Sequence, residues 1–236
     1  MIKAVFFDAG ETLIHRNPSL VVIAKRILEE AGVKVQTGIL SSVIKATAKD
    51  MGKITEKGAM SDSDKWDFFL RAVFLKLKVR DEGALEKIKM RLKNGTSFRA
   101  YAEVPGVLKE LRSKKVILGV ISNASSYLKK ILDRAGLSNM FDHVVVSEIE
   151  GVEKPHKKIF DIALKKAGVK RDEFIFIGDN FIADVAGASR AGIKAVWLAR
   201  DTSNAQFSYA HAADKKTHRV KNLRDFLQYM KKEKML

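Results

Sequence analysis

The chain has 236 residues, of which 46% are hydrophobic and 31% charged, and it contains no cysteine. This composition is typical of a globular protein with enough apolar side chains for a core, and it excludes disulfides, thiolate metal sites and a cysteine nucleophile. No apolar stretch approaches the about 20 residues of a spanning helix, and the N-terminal apolar run is too short for a signal peptide. We therefore expect a cytoplasmic protein without a membrane segment.

The net charge of +16, from 44 Lys and Arg against 28 Asp and Glu, would suit a nucleic-acid-binding protein. The basic excess is instead spread along the chain with acids interleaved, and the longest purely basic runs are pairs. We therefore predict solvated basic faces and no nucleic-acid site. Such a surface would still attract an anionic substrate.

Two patterns of apolar residues, continuous runs and helical spacing, occur along the chain. Residues 2–7 are a continuous apolar run, which predicts a strand buried on both faces. From about residue 18 to 99, apolar residues recur at helical spacing, which predicts four or five bundled helices and no strong strand. Beyond about residue 104, we predict strands at 116–122, 144–147, 173–177 and 195–198, alternating with helices at 105–114, 126–135, 156–167, 183–191 and 222–232.

This alternation predicts an α/β fold with an open parallel Rossmann-like sheet as its core and an α-helical bundle inserted after the first strand. The predicted domains are a discontinuous α/β catalytic core of residues 1–15 and 100–236, and a helical domain of residues 16–99. Trp66, Phe68 and Phe69 lie at helical spacing with apolar neighbours. We interpret them as core of the helical domain, with the lining of a cleft as the alternative.

Polar side chains directly follow four of the predicted strands: Asp8 and Thr12; Ser122 and Asn123; Glu148 and, soon after, Lys154; Asp179 and Asp184. Ligands of open parallel sheets bind outside the carboxyl ends of the strands. Carboxylates and a lysine gathered there indicate a hard cation beside an anion, and oxygen ligands without His or Cys favour Mg²⁺. The reaction that fits best is displacement at phosphorus.

Four motifs carry a family resemblance: Phe-Phe-Asp8-Ala-Gly-Glu-Thr12-Leu, Val-Ile-Ser122-Asn123, Glu-Lys154-Pro-His-Lys-Lys-Ile-Phe and Phe-Ile-Gly-Asp179-Asn-Phe-Ile-Ala-Asp184-Val-Ala-Gly-Ala. In this order, and each at a strand end, they resemble the haloacid dehalogenase superfamily, in the branch whose helical cap is inserted after the first strand. The resemblance covers essentially the whole chain.

The resemblance implies a Mg²⁺-dependent phosphatase that acts on a phosphorylated small molecule through an aspartyl-phosphate. Asp8 would be the nucleophile, and Lys154 would hold it in register with the phosphoryl group. The implied phosphate-binding groups are Thr12, Ser122 and the backbone N–H of Asn123. The implied Mg²⁺ ligands are Asp8, the carbonyl of Gly10, Asp179 and Asp184. The helical cap would exclude water and select the substrate.

Position 10 departs from the family pattern. Phosphatases of this kind usually carry a second Asp there, which protonates the leaving group and later activates water. In this chain the residue is Gly10. The nearest replacement is Glu11, and the remaining candidates are His15, Asp62, Asp64 and Asp67. Loss of a positioned acid/base costs about 100- to 10,000-fold in rate. The cost is smaller for weakly basic leaving groups, so we predict faster hydrolysis of aryl and acyl phosphates than of alkyl phosphates.

Three other functions stay open. A 2-haloacid dehalogenase also attacks with a carboxylate and lacks the second Asp, but such enzymes tend to lose the first acid of the fourth motif, here Asp179. A phosphonatase-type hydrolase tolerates a small residue at position 10 but needs a Schiff-base lysine from the cap. A non-catalytic phosphate- or protein-binding member is the third, although the intact Asp8 and Lys154 argue against it. The oligomeric state and the physiological substrate are left open.

Overall fold

The computed structural model describes residues 1–55, 62–94, 97–200 and 217–236. Within these residues the chain divides into two compact units. The core unit comprises residues 1–15, 98–200 and 217–236, and the helical unit comprises residues 16–55, 62–94 and 97. Compactness alone does not make either unit an independently folding domain, so the predicted division into 1–15 with 100–236 and 16–99 stays a prediction.

The described residues contain eight strands: β1 (Ala4–Phe7), β2 (Ile14–Asn17), β3 (Ser97–Ala100), β4 (Ile117–Ser122), β5 (His143–Val146), β6 (Phe174–Gly178), β7 (Lys194–Leu198) and β8 (His218–Val220). Six of them form one parallel sheet in the order β5-β4-β1-β6-β7-β8. β2 and β3 pair separately. The parallel sheet confirms the predicted α/β fold, with β1 at its centre.

The described helices are α1 (Leu20–Glu30), α2 (Thr37–Thr55), α3 (Asp62–Lys76), α4 (Glu82–Asn94), α5 (Val104–Ser113), α6 (Leu128–Arg134), α7 (Ser147–Glu150), α8 (Lys157–Ala167), α9 (Gly187–Arg190) and α10 (Leu223–Lys232). The first four lie in the helical unit, as the periodicity predicts. None of the described helices has both the length and the apolar character that crossing a membrane would require.

The apolar run of β1 is buried because both faces of the sheet are covered. Val5 and Phe7 belong to one hydrophobic cluster, whereas Ala4 and Phe6 belong to another. This two-sided burial is what a continuous apolar strand in a parallel sheet requires. It fixes β1 at the centre of the sheet and so fixes the point at which residue 8 leaves it.

The helical unit has its own core, built from apolar faces of all four helices. Phe69 is fully buried there, and Trp66 packs against it edge to face with 5.7 Å between ring centroids. Phe68, in contrast, is exposed. The interpretation of these aromatics as core residues is therefore confirmed for Phe69 and for the partly buried Trp66, which packs against this core, and wrong for Phe68, which is exposed.

Among the differences from the sequence-based expectation are three strands, the short helix α7 and one helix start. β2, β3 and β8 are short and polar, with the sequences Ile-His-Arg-Asn, Ser-Phe-Arg-Ala and His-Arg-Val, so no apolar run marks them. The helix expected at 183–191 is a π-helical turn over Phe181–Ala186 followed by α9. It begins earlier because the Asn180 side chain accepts hydrogen bonds from the backbone N–H groups of residues 182 and 183.

Candidate active site

The site lies where β1 and β6 end side by side. The chain builds one half of the sheet with β4 and β5 and then crosses to β6, so these neighbouring strands flank the topological switch point. The backbone N–H of Asp8 donates to the carbonyl of Ile177 over 2.9 Å. This register places Asp8 beside Asp179, and one carboxylate oxygen from each of Asp8, Asp179 and Asp184 lies within 4.8 Å of the others.

Gly178 allows Asp184 to enter this cluster. A Cβ atom at residue 178 would lie 2.3 Å from Oδ2 of Asp184, so any larger residue there would displace the carboxylate. The backbone N–H of Asn180 donates to the same oxygen over 2.9 Å. The Gly-Asp-Asn sequence after β6 therefore both opens the space for Asp184 and orients its carboxylate.

Lys154 is the buried cation of the site, with 3% of its surface exposed. Its ammonium donates to Oδ1 of Asp8 over 2.7 Å and to Oδ1 of Asp184 over 2.6 Å. The Asn123 side chain holds the backbone of residue 154 at two points: its Nδ2 donates to the carbonyl over 2.8 Å, and its Oδ1 accepts from the N–H over 2.7 Å. Asn123 therefore links the end of β4 to the lysine.

Ionisation of Asp179 and Asp184 is opposed by their surroundings. Burial, reinforced by the charges of Asp8 and Asp184, raises the pKa of Asp179 well above its usual range. Burial also raises the pKa of Asp184 to about 6, although Lys154 opposes this shift. For Lys154, burial alone would lower the pKa, but the neighbouring carboxylates of Asp184 and Asp8 outweigh it and raise the pKa. One ammonium thus faces three carboxylates, and a divalent hard cation would fit the remaining negative charge.

The loop after β1 offers room at residue 10 but no second Asp. Among the described residues, apart from its two neighbours in the chain, none lies within 4 Å of a Cβ atom added to Gly10. Glu11 adopts a left-handed conformation, with φ of 54°, and its Oε2 accepts a hydrogen bond of 2.7 Å from the Tyr101 hydroxyl. The His15 ring packs on Tyr101 with 4.8 Å between centroids. Two of the acid/base candidates thus lie around Tyr101.

The acid/base candidates of the helical unit are placed less fully. The Asp67 carboxylate pairs with Arg71 over 2.9 Å and also with Lys89. The side chains of Asp62 and Asp64 lie outside the described residues. Within the described part, Asp67 thus belongs to an ion-pair network of helices α3 and α4.

Thr12 and Ser122 are both buried at the strand ends. The Thr12 hydroxyl donates to Oδ1 of Asp179 over 3.3 Å, so its observed contact is with a carboxylate of the cluster. Ser122 is the last residue of β4, and Asn123 begins the loop that follows. The carboxylate of Glu148 accepts a hydrogen bond of 2.6 Å from the backbone N–H of Ser126. Phosphate binding by Thr12, Ser122 and Asn123 stays a prediction.

Arg200 is a site residue that the sequence reasoning missed. It follows β7 by two residues, and the rule that found the other site residues was applied to only four of the five predicted strands. Its guanidinium donates to the carbonyls of Glu11 and Thr12 and to the Glu103 carboxylate. Trp197, also from β7, donates from its indole N–H to the carbonyl of Asp179 over 3.0 Å. Extending the rule to every strand end would have found Arg200.

Known proteins share this sequence pattern and this fold. A glyceraldehyde 3-phosphate phosphatase from Pyrococcus furiosus is 34% identical over 202 residues, which is 84% of this chain and 80% of the relative. The HAD-hydrolase YfnB from Bacillus subtilis, solved with bound magnesium, superposes with a TM-score of 0.73 at 17% identity, covering 98% of this chain and 99% of that one. An L-2-haloacid dehalogenase from Xanthobacter autotrophicus superposes with a TM-score of 0.62 at 22% identity, covering 98% and 99%.

The two structural matches, both below 25% identity, establish the fold alone. The family assignment comes from sequence: residues 5–198 match the family model described as haloacid dehalogenase-like hydrolase. That match spans all four motifs and both compact units. Taken with the buried carboxylate cluster at the ends of β1 and β6, it shows that the chain belongs to the haloacid dehalogenase-like hydrolases.

Proposed function

We propose that this protein is a Mg²⁺-dependent phosphatase that hydrolyses a phosphorylated small molecule through a phosphoryl group carried on Asp8. The observation that carries the proposal is the contact of the Lys154 ammonium with both Asp8 and Asp184, beside the carboxylate of Asp179. This arrangement combines a nucleophilic carboxylate, a cation for the phosphoryl oxygens and an oxygen-only metal site.

In the proposed first step, a carboxylate oxygen of Asp8 forms a bond to phosphorus while the bond from phosphorus to the leaving oxygen breaks. Lys154 fixes the rotamer of Asp8 through its 2.7 Å hydrogen bond and offsets negative charge on the transferred group. Ser122 and the Asn123 N–H, at the end of the adjacent strand β4, would bind phosphoryl oxygens. Water then attacks the phosphorus of the acyl phosphate, which releases inorganic phosphate and restores Asp8.

The residues that would hold Mg²⁺ are Asp8, the backbone carbonyl of Gly10, Asp179 and Asp184. Their donor set fits the ion, because the three carboxylates are hard oxygen ligands that repel one another without a cation. When bound, Mg²⁺ would neutralise charge on the phosphoryl oxygens. Thr12 would orient Asp179, since its hydroxyl already donates to that carboxylate.

The substrate is proposed to be a small phosphorylated metabolite, with glyceraldehyde 3-phosphate as the first compound to test because relatives that cover most of the chain carry that name. The helical segment, residues 16–99, is proposed to act as the cap that selects among such compounds. Gly10 adds a second expectation: leaving groups that need no proton, as in p-nitrophenyl and acetyl phosphate, should be hydrolysed faster than alkyl esters of similar size.

The dehalogenase, phosphonatase and non-catalytic alternatives are each less well supported. The buried Asp179 beside Asp8 and Asp184 favours a cation site, which halide displacement does not need. A Schiff-base lysine in the helical segment has no supporting contact among the described residues. A binding module would have no need of an ammonium held against the nucleophilic carboxylate.

The test compares wild type with Asp8→Asn in hydrolysis of p-nitrophenyl phosphate, with Mg²⁺ and with EDTA. Asp8→Asn keeps the shape of the side chain but removes the nucleophile, so we expect a loss of at least about 1,000-fold. Asp161→Asn, which alters a carboxylate in surface ion pairs with Lys157 and Arg171, is the matched control. Acid quenching with radiolabelled phosphate substrate should trap label on wild type and Asp161→Asn but not on Asp8→Asn. A wild type inactive on a broad phosphate panel would refute the proposal.

A further inference from the structure

The residue after Gly10 is held at three points. The backbone N–H of Glu11 donates to the carbonyl of Ile14 over 2.7 Å, its carbonyl accepts from Nε of Arg200 over 3.1 Å, and its carboxylate accepts from the Tyr101 hydroxyl over 2.7 Å. Its φ of 54° lies in the left-handed region, which a residue other than glycine adopts at a cost. Such a conformation persists where its surroundings fix it, and here they fix the peptide that carries the Gly10 carbonyl.

Arg200 makes the most contacts among the residues that fix this loop. Its Nη2 donates to the carbonyl of Thr12 over 2.8 Å, so together with Nε it spans two consecutive carbonyls of the loop. Its Nη1 donates to the Glu103 carboxylate over 2.6 Å. The guanidinium carbon lies 3.7 Å from the centroid of the Tyr101 ring, whose hydroxyl binds Glu11. Only 6% of the Arg200 side chain is exposed.

The arrangement is specific to arginine. A planar guanidinium can donate along two edges at once, whereas a lysine ammonium lacks the fork that meets two carbonyls and a carboxylate in fixed directions. Burial alone would raise the pKa of Glu103, but its backbone hydrogen bonds and Arg200 together lower it, so this carboxylate is ionised opposite the guanidinium. The buried charge of Arg200 is therefore paired, and its remaining donors are directed at the loop.

We infer that Arg200 is a positioning residue of the phosphatase site, which fixes the loop of residues 10–13 so that the Gly10 carbonyl and Asp179 meet the metal in the right geometry. The link to Asp179 passes through Thr12, whose carbonyl binds Arg200 and whose hydroxyl binds the Asp179 carboxylate. The inference rests on the proposed function, since it takes these groups to be metal ligands. It also gives Glu11 a structural role, since its backbone and carboxylate help to fix this loop.

The test measures Mg²⁺ binding apart from catalysis. Melting temperature is followed against Mg²⁺ concentration for wild type, Arg200→Met, Arg200→Lys and Arg171→Met, and kcat and KM are measured for the same proteins with p-nitrophenyl phosphate. Arg171 is the matched control because it too binds a backbone carbonyl, that of Ala191 at 2.7 Å, and a carboxylate, that of Asp161, but at the opposite end of β6.

We expect the half-saturating Mg²⁺ concentration to rise about 10- to 100-fold in Arg200→Met, with a fall in kcat and little change in KM at saturating Mg²⁺. Arg200→Lys keeps the charge opposite Glu103 and so should fold even if Arg200→Met does not. We expect at least about a tenfold rise in its half-saturating Mg²⁺ concentration, because the two-carbonyl fork is lost. Arg171→Met should match wild type in Mg²⁺ midpoint and kcat.

A wild-type Mg²⁺ midpoint and kcat in Arg200→Lys would overturn the inference, as would an equal change in Arg171→Met. The two proposals fail in different ways. A wild type without phosphatase activity, but with a Mg²⁺ midpoint that depends on Arg200, would refute the proposed function and leave the positioning role intact. An active wild type with an unchanged midpoint in Arg200→Lys would refute the positioning role alone.

Discussion

The core unit and the helical unit differ in whether they bury charged side chains. Among the described residues, the buried polar residues of the core unit are Asp8, Thr12, Ser122, Lys154, Asp179 and Asp184, and the side chain of Arg200 is buried as well. They lie at strand ends or in the segments that follow, Asp184 in the π-helical turn after β6. The helical unit buries Thr47, whose hydroxyl donates to the carbonyl of Val43 in its own helix. Its charges, such as those of Arg71 and Glu82, pair at the surface.

We interpret this contrast as a division between the proposed chemistry and the proposed selection of the substrate. Burying charged groups is costly unless they bind a partner or an ion, so a cluster of them indicates a functional site. The helical unit bears no such cost in its described residues, and its surface charges can change freely. We therefore expect substitutions in the core cluster to alter the rate of the reaction itself, and substitutions of surface charges in the helical unit to alter stability slightly or to change which substrate is accepted.

After Asp8→Asn, the largest effect is expected for Lys154→Met. The ammonium contacts both Asp8 and Asp184, and its loss should lower kcat by about 100- to 1,000-fold with p-nitrophenyl phosphate. It also leaves buried carboxylates without a counter-charge, which costs about 3–5 kcal/mol of unfolding free energy. Lys157→Met, which breaks an exposed ion pair with Asp161, is the control and should change neither quantity appreciably. Near-wild-type activity in Lys154→Met would contradict the expectation that substitutions in the core cluster alter the rate of the reaction.

A gain of function is expected for Gly10→Asp. The described part of the chain leaves space at this position, since none of its atoms beyond the adjacent residues lies within 4 Å of a Cβ atom at residue 10. A carboxyl group there would restore the acid that protonates an alkoxide leaving group. We expect at least about a tenfold rise in kcat for an alkyl phosphate and a smaller rise for p-nitrophenyl phosphate. Gly10→Ala adds the Cβ without the acid and should not reproduce the gain. Equal rates for Gly10→Asp and Gly10→Ala would refute the idea.

One rule, the search for polar residues after predicted strands, found most of the residues of the carboxylate and lysine cluster. The apolar strands are visible as runs, and the polar residue at each strand end lies at the switch point because the sheet is parallel. The rule does not predict the direction in which each side chain points. It could not show that Asn123 binds the backbone of Lys154, or that Tyr101 takes the carboxylate of Glu11. Those contacts depend on loop dihedrals, such as the positive φ of Glu11, which no spacing encodes.

A smaller effect should appear in the pH dependence of Mg²⁺ stabilisation. Burial raises the pKa of Asp184 from its ordinary 3.8 to about 6, and that of Asp179 is raised as well. A raised carboxyl pKa stabilises the fold below the unfolded value and loses that contribution as pH rises through the folded value, here between 3.8 and about 6. Mg²⁺ binds the ionised carboxylates, so it should raise the melting temperature clearly at pH 8 and little at pH 4.5. Equal stabilisation at both values would contradict this.

The smallest effect is expected for Asp67→Asn in the helical unit. Asp67 is a candidate for the acid that position 10 lacks, but its carboxylate is engaged by Arg71 and Lys89. The hydrogen bond from Lys89, followed by that from Arg71, lowers the pKa of Asp67, whereas a general acid works best with a pKa near the working pH. We therefore expect kcat within about twofold of wild type and a melting temperature within about 2 °C. Glu82→Gln, which removes charge from the other partner of Arg71, is the matched control. A fall in kcat of about 100-fold or more in Asp67→Asn, with the kcat of Glu82→Gln unchanged, would identify Asp67 as the acid/base. The helical unit would then take part in the chemistry, which contradicts the proposed division between the two units.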